Sequence, residues 1–213
     1  SSFKRQFPET GEDVKIMGYR EGEKIHLVLA IAFVDKFIKN EDDYFEKKSQ
    51  VFLTIEKFLQ KKFEEKISFE INTLDKKGRG VAGCYLTVTG TSADSGDSGE
   101  VGRGNRVNGI IPLNRVAGSE ASAGKNCVSH VGKIYNLLSF KIADEIYKAT
   151  GKKNTVWLVS KIGRPVNQPA LISVLVEGLD KKIEEKVEKI IKKNFDQIED
   201  FIDKLIAGKF RMV

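Results

Sequence analysis

The sequence predicts an α+β protein built from repeated ββα-type units, with mostly antiparallel sheets and with helices on one face of the sheets. Two observations support this class. Short apolar segments with strand-like alternation occur in neighbouring pairs, and long segments with apolar residues at helical spacing separate these pairs. The alternation of hairpin and helix indicates a structural repeat, although the sequence itself does not repeat.

The first unit is predicted to span residues 11–92 in the element order ββαββ. Gly22 suits the turn of an opening hairpin, and Asn40 or Asp42 could cap the helix that follows. The strands are expected at 14–19 and 25–32, the helix at 42–64, and two further strands at 67–71 and 85–89.

The second unit is predicted at residues 127–213 in the order αββα. Its first helix should end around Gly151, and its last helix should break near Asn194. The elements are a helix from about 128, strands at 156–162 and 171–177, a helix at 181–205, and a last short strand at 210–213.

The composition limits the class of protein. The 36 Lys and Arg residues against 30 Asp and Glu residues suit an anionic partner, either a nucleotide or a nucleic acid. Cys84 and Cys127 lack metal-type spacing, so we expect neither a disulfide framework nor a zinc site. The longest apolar run, 27–34, is too short to cross a bilayer, and the first residues lack a secretory signal pattern. We therefore expect a soluble, cytoplasmic protein.

A glycine-rich segment, predicted at residues 93–126, lies between the two units. Glycine allows the backbone to come close to a ligand, and successive N–H groups in such turns form anion sites. Arginine and lysine side chains in the segment can bind phosphate oxygens, and its aspartates can hold a magnesium ion or a substrate ammonium group. A connection of this length is usually functional or disordered. The segment therefore predicts the binding of a polyphosphate.

The same residues are compatible with other functions. The string GRGNR at 102–106 could contact nucleic acid, but neither an aromatic set for base stacking nor a known nucleic-acid module is recognisable. A non-catalytic scaffold or dimerisation module is a further alternative, which would expose an apolar sheet face. An ordinary long loop with solvated charges is the plainest alternative.

Four strings carry a family resemblance: GEDVKIMG at 11–18, YLTVTGTSA at 85–93, GDSGEVGRGNRVNGIIP at 96–112 and GKNCVSHVGKIYN at 124–136. In this order, and with INTLD at 71–75 and SKIGRPVNQP at 160–169, the chain resembles the archaeal-type S-adenosylmethionine synthetases, or methionine adenosyltransferases. The resemblance runs from about Gly11 to the last residue.

The resemblance implies a reaction and its partners. ATP and L-methionine would be the substrates, and the methionine sulfur would displace the triphosphate, which is then hydrolysed. Mg²⁺ and K⁺ would assist, and the enzyme would be a homodimer with active sites at the subunit interface. No membrane partner is implied, and nucleic acid is the less favoured ligand.

The resemblance also implies roles for individual residues. In the run GDSGEVGR, Asp97 would contact methionine and Arg103 would contact phosphate, while Lys125 would be a phosphate ligand. The string SHVGK stands where bacterial-type synthetases carry a lysine and a magnesium-binding aspartate, so Lys133 or His130 would take part of that task. Further substrate-binding positions are Gly99, Gly102, Arg106 and Gly124, and Asp94 is a possible magnesium ligand by its charge and place.

Two departures from the family pattern affect these expectations. Cys127 stands where relatives have proline, which removes a constraint on φ but should leave the loop usable. Family members are also about twice as long, and the motif GHPDSICD with its catalytic histidine is absent from this sequence. We therefore expect the chain to be a C-terminal part of the enzyme that lacks part of the active site.

Overall fold

The computed structural model describes residues 2–91, 122, 125–128 and 130–210. The chain divides into two compact units, Ser1–Asp97 and Ser98–Val213. The boundaries predicted from the sequence for the glycine-rich segment stay a prediction, because 92–121 lie outside the described residues.

The first unit forms a four-stranded sheet with one long helix. Its strand β2 pairs antiparallel with β1 through a hairpin whose Gly22 has a φ of 59°. The elements are α1 (Ser2–Gln6), β1 (Thr10–Glu21), β2 (Lys24–Val34), a 3-10 turn (Asp35–Phe37), α2 (Glu41–Lys62), β3 (Lys66–Ile71), a second 3-10 turn (Gly80–Gly83) and β4 (Leu86–Thr87).

Strands β3 and β4 both pair with β2 in the parallel direction, β3 along its first half and β4 at its end. The α+β class is confirmed. The pairs β1–β2 and Asn154–Val159 with Leu171–Val176 are antiparallel, but the parallel pairing of β3 and β4 with β2 was not predicted. For β3 the direction follows from α2, because a helical crossover returns the chain to the sheet in its original direction. The strand predicted at 85–89 is shorter than expected, since only Leu86 and Thr87 pair.

Helix α2 covers one face of this sheet. Asn40 caps it, as the sequence predicted, by accepting a hydrogen bond from the Asp43 N–H at 2.9 Å. Tyr44 and Val51, both fully buried, pack against the inward side chains of β2. The core of this unit consists of Phe7, Leu29, Ile31, Phe33, Tyr44, Val51 and Ile71.

In its described residues, the second unit packs three helices with a two-stranded antiparallel sheet. The elements are α3 (Val131–Thr150), β5 (Asn154–Val159), β6 (Leu171–Val176), α4 (Lys181–Asp196) and α5 (Ile198–Ile206). Leu138, Ile142 and Ile146 recur every four residues on one face of α3 and are fully buried. The helix ends at Gly151, whose φ of 67° and N–H bond to the Tyr147 carbonyl form a left-handed cap.

The break predicted in the last helix is present, but it lies at Gln197 rather than at Asn194. Asn194 stays helical, and its buried amide donates to Glu145 on α3 at 2.7 Å. No strand was found at Phe210, and 211–213 lie outside the described residues. Of the helices in the described part of the chain, none has the length and apolar character needed to cross a membrane.

Candidate functional site

Three of the predicted site residues, Lys125, His130 and Lys133, lie within the described part of the chain. The remaining ones fall outside it, so their predicted roles stay predictions: Asp94, Asp97, Gly99, Gly102, Arg103, Arg106 and Gly124. The described three lie together at the start of α3.

A turn before α3 sets the entry of the chain into this helix. The Asn126 side chain accepts a hydrogen bond from the Val128 N–H at 2.8 Å, and the Asn126 carbonyl accepts from the His130 N–H at 3.0 Å. Asparagine favours such turns because its side chain can replace a backbone acceptor. Cys127 is partly buried and packs against the core of the second unit, so the fold accommodates a thiol at this position. The helix therefore begins at Val131, later than the sequence predicted.

His130 is the N-cap residue of α3. Its Nδ1 accepts a hydrogen bond from the Gly132 N–H at 3.1 Å, and its carbonyl accepts from the Lys133 N–H at 3.0 Å. The residue itself is exposed. The imidazole thus satisfies one of the N–H groups that an α-helix leaves without a partner in its first turn.

Lys133 brings a buried positive charge into the same turn. The residue is only 7% exposed, and its Nζ donates to the Lys125 carbonyl at 2.6 Å. A cation near a helix N-terminus is repelled by the helix dipole, which favours anions there. The lysine therefore adds to the positive potential of the helix end instead of neutralising it, and both favour an anionic ligand.

Tyr135, on the buried face of α3, connects this helix to the string SKIGRPVNQP. Its hydroxyl donates to the Val166 carbonyl at 2.7 Å, and its ring packs edge-on against Phe195. Burial raises the pKa of Tyr135 to about 12, so the phenol stays protonated and remains a donor. A tyrosine on the apolar face of a helix is the signal that could have revealed this link, because a buried hydroxyl needs a partner.

In the first unit, the strings GEDVKIMG and YLTVTGTSA meet where Gly11 and Gly90 touch backbone to backbone. A Cβ at Gly11 would lie 2.0 Å from the Gly90 oxygen, and Gly90 has a φ of 80°. The Gly90 N–H donates to the Thr87 hydroxyl at 2.9 Å, which fixes this turn. The contact holds the chain just before the glycine-rich segment begins.

The string INTLD forms a buried polar network around Asn72. The Asn72 side chain accepts from the Ile31 N–H and donates to the Ile31 carbonyl, both at 2.8 Å, and it donates to the Tyr44 hydroxyl at 3.1 Å. Asp75 accepts from the Tyr44 hydroxyl at 2.6 Å and from the Lys48 ammonium at 2.8 Å. Burial, together with the hydrogen bond to Asp75, raises the pKa of Tyr44. The network has a structural role, because it satisfies the backbone of β2.

The described residues contain no group of three or more His, Cys, Asp and Glu side chains that could hold a metal ion. Asp94, the predicted magnesium ligand, lies outside them. The ammonium groups of Lys125 and Lys133, which the structure places at the start of α3, are cationic and suit an anion.

Known proteins with similar sequences are S-adenosylmethionine synthases. The family model of S-adenosylmethionine synthetase (AdoMet synthetase) matches residues 1–209. The synthase of Thermococcus onnurineus is 47% identical over 176 residues, which are 82% of this chain and 43% of the relative. The synthase of Pyrobaculum aerophilum is 42% identical over an alignment of 213 positions, which covers 97% of this chain and 52% of the relative.

The synthase of Methanosphaera stadtmanae is also 42% identical, over an alignment of 216 positions that covers 98% of this chain and 53% of the relative. The chain thus spans about half the length of the curated relatives it matches. The match of the family model extends across both compact units. This chain belongs to the S-adenosylmethionine synthetase family.

Proposed function

We propose that this chain takes part in the synthesis of S-adenosylmethionine from ATP and L-methionine. The methionine sulfur forms a bond to the ribose 5′ carbon while the bond from that carbon to the triphosphate breaks, and the electron pair of this bond leaves with the triphosphate. Water then divides the triphosphate into phosphate and diphosphate. Membership of the family supports this reaction, and the positive start of α3 supports the binding of its anionic leaving group.

The observation that carries the proposal is the buried ammonium of Lys133 at the N-terminus of α3. Negative charge moves onto the triphosphate as the bond to the ribose breaks, and positioned cations stabilise that charge in the transition state. Lys133 is already held by the Lys125 carbonyl, so little rearrangement is needed before reaction. Lys125 belongs to the same turn and would be a phosphate ligand.

The glycine-rich segment supplies the rest of the proposed site. Asp97 would bind the methionine and Arg103 a phosphate group, and Asp94 would hold Mg²⁺. Mg²⁺ would neutralise part of the phosphate charge, and K⁺ would be the activating monovalent ion. The remaining substrate-binding positions are Gly99, Gly102, Arg106 and Gly124, whose backbone or side chain would lie against the substrate.

The proposal includes partners for the chain. The active enzyme would be a cytoplasmic homodimer with active sites at the subunit interface. It would also need residues beyond these 213, since the relatives are about twice as long as the part they share with this chain.

The test combines the chain with ATP, methionine, Mg²⁺ and K⁺ and measures S-adenosylmethionine by mass spectrometry. A parallel reaction adds the half of the Pyrobaculum aerophilum relative that this chain does not cover, and we call this combination the complemented enzyme. The full-length relative is the positive control, and each half alone is the negative control. We expect product from the complemented enzyme and none from the chain alone.

The other results have distinct meanings. Product from the chain alone would contradict the need for further residues but support the reaction. No product from either mixture, with an active positive control, would contradict the proposed activity and leave a binding or dimerisation module as the remaining function.

A further inference from the structure

The hydrophobic core of the first unit stops before it reaches the outer strand β1. The register places Val14 opposite Ile31 and Ile16 opposite Leu29. Residues directly opposite each other in an antiparallel pair lie on the same face of a sheet. Ile31 and Leu29 are 1% and 6% exposed in the core that includes α2, whereas Val14 and Ile16 are 40% and 63% exposed. The apolar face of the sheet therefore continues onto β1 and is open to solvent there.

The backbone of β1 is also open on its outer side. Among the described residues, β2 is the only strand that pairs with β1, and this pairing is regular from Val14 to Glu21. Many proteins protect such an edge with a bulge, a proline or charged side chains. In β1 the irregular register lies before Val14, and Arg20 and Glu21 lie at the hairpin end. We call residues 16–19, which carry none of these devices, the open edge.

The opposite edge of the same sheet, strand β3, is protected. On its inward face Phe69 stacks on Phe52 of α2 with the ring centroids 4.3 Å apart, so the helix covers this strand. Its outward side chains are exposed and polar, namely Lys66, Ser68 and Glu70. The contrast indicates that the sheet is complete at β3 but lacks a neighbour at β1.

We propose that the open edge binds a β-strand from the half of the enzyme that this chain does not cover. This proposal rests on the proposed function, which requires that half. The relatives share only about half of their length with this chain, so a second half of similar size is the source of the neighbouring strand. A strand with apolar residues at alternate positions fits both observations, because its backbone pairs with β1 and its side chains cover Val14 and Ile16. A helix would cover the side chains but leave the backbone of β1 unpaired.

Hydrogen–deuterium exchange measures the pairing directly, because a backbone amide exchanges slowly when it donates a hydrogen bond in a β-ladder. The exchange of the chain alone is compared with its exchange in the complemented enzyme. We expect the segment 14–21 to exchange about tenfold more slowly, or slower still, in the complemented enzyme. The segment 66–71 of β3 is the internal control and should exchange at the same rate in both samples.

Ile16→Lys tests the apolar part of the contact. Because Ile16 is 63% exposed in the chain alone, the melting temperature of the chain should not change. A lysine in place of an isoleucine that becomes buried should raise the dissociation constant of the two halves about tenfold to a hundredfold. Ile206→Lys is the matched control, since Ile206 is 56% exposed on α5 of the second unit, and it should leave this constant unchanged. Isothermal titration calorimetry measures the dissociation constants.

The outcomes separate this proposal from the proposed function. Product from the complemented enzyme without slower exchange at 14–21 would overturn the strand pairing and leave the reaction intact. Slower exchange without product would support the pairing and contradict the proposed activity. Slower exchange that appears in the chain alone as its concentration rises would mean that a second copy occupies the open edge, which overturns the proposal. Equal affinities of the Ile16→Lys and Ile206→Lys variants for the other half would overturn it as well.

Discussion

Lys133 lies at a position where the dipole of its own helix disfavours a positive charge. Its charge lies in the first turn of α3, where the dipole repels cations, and its side chain is nearly buried. Replacing it with an apolar residue of similar length should therefore cost little stability. A residue whose loss is tolerated by the fold but not by the chemistry is expected at a functional site.

Lys133→Met tests this expectation. The hydrogen bond to the Lys125 carbonyl is lost, but the repulsion from the helix dipole is removed too, so we expect the free energy of unfolding to change by no more than about 2 kcal/mol. Production of S-adenosylmethionine by the complemented enzyme should fall about a hundredfold. Lys148→Met, at an exposed site on the same helix, is the control. Equal activity in the two variants would contradict the proposed role of Lys133.

The sequence alone predicts that Arg103 binds phosphate, and Arg103→Ala tests this role. Loss of a guanidinium that binds the leaving triphosphate should lower turnover of the complemented enzyme about a hundredfold, with a change in unfolding free energy within about 0.5 kcal/mol. Steady-state kinetics and urea unfolding measure the two quantities. Normal turnover would mean that Arg103 has been assigned wrongly.

The family resemblance of the sequence selected Lys125, His130 and Lys133, whose site roles stay predictions. It could not reveal how these residues contact one another, because the hydrogen bond from Lys133 to the Lys125 carbonyl depends on the turn at Asn126. The role of Tyr135 was missed for a related reason. Its acceptor, Val166, lies 31 residues away, and no local pattern specifies such a partner.

Among the elements, β2 has an unusual arrangement of neighbours. Its pairing with β3 ends at Leu29 and its pairing with β4 begins at Phe33, so Ile31 faces the gap between the two strands. The side-chain amide of Asn72 fills this gap and makes the two hydrogen bonds that a strand residue would make. A side chain thereby completes a β-ladder, which explains why the polar Asn72 is buried.

Asn72→Asp keeps the shape and the acceptor but removes the donor to the Ile31 carbonyl. We expect the first unit to lose about 2–4 kcal/mol of unfolding free energy, because a buried charge then faces an unpaired carbonyl. Asn40→Asp makes the same chemical change at an N-cap, where aspartate is as good a residue, and should have little effect. Urea unfolding of both variants measures the difference, and similar losses would contradict the role of Asn72.

The close contact between Gly11 and Gly90 predicts that a side chain at position 90 destabilises the first unit. In Gly90→Ala, the new Cβ would lie 2.8 Å from the Gly11 Cα, in addition to the strain of a positive φ. We expect a loss of at least about 2 kcal/mol. Gly78→Ala shares the positive φ, but nothing lies within 4 Å of its Cβ, so it should cost only about 1 kcal/mol. Thermal unfolding measures the loss of stability in each variant. Equal losses would contradict a steric clash between the new Cβ at position 90 and Gly11.

The spacing of apolar residues predicted the helices and strands better than it predicted which strands pair. The hairpin of β1 and β2, helix α2 and helix α3 follow from local patterns of apolar residues. The parallel pairing of β3 and β4 with β2 could not be read from those patterns. It depends on where α2 packs on the sheet and on Asn72, which joins the two pairings.

At the scale of the molecule, the response to acid depends on a junction between α3 and α4. Burial alone would raise the pKa of Glu145, but hydrogen bonds from Lys141 and Asn194 outweigh it and lower the pKa below the ordinary value of 4.5. The ionised carboxylate therefore stabilises the second unit. This stabilisation is complete above the unfolded-state pKa, and it is lost as the pH falls through the lower folded-state pKa.

Glu145→Gln should lower the unfolding free energy by roughly 1 kcal/mol at neutral pH and by less at an acidic pH below the ordinary value of 4.5, since protonation of the native carboxyl removes its charge. Urea unfolding at both pH values measures the two losses. Glu188→Gln, on the exposed side of α4, is the control and should leave the unfolding free energy unchanged at both pH values. A loss that stays the same at both pH values would contradict the role of the charge.

The hydrogen bond from the Ile31 N–H to the Asn72 side chain makes the exchange of this amide a measure of side-chain motion. Amide hydrogens exchange with solvent only when their hydrogen bond opens. The Ile31 amide is held by a side chain, whereas its neighbours along β2 are held by backbone carbonyls. Deuterium uptake at this one amide would therefore measure how often the Asn72 side chain turns away while the sheet stays closed.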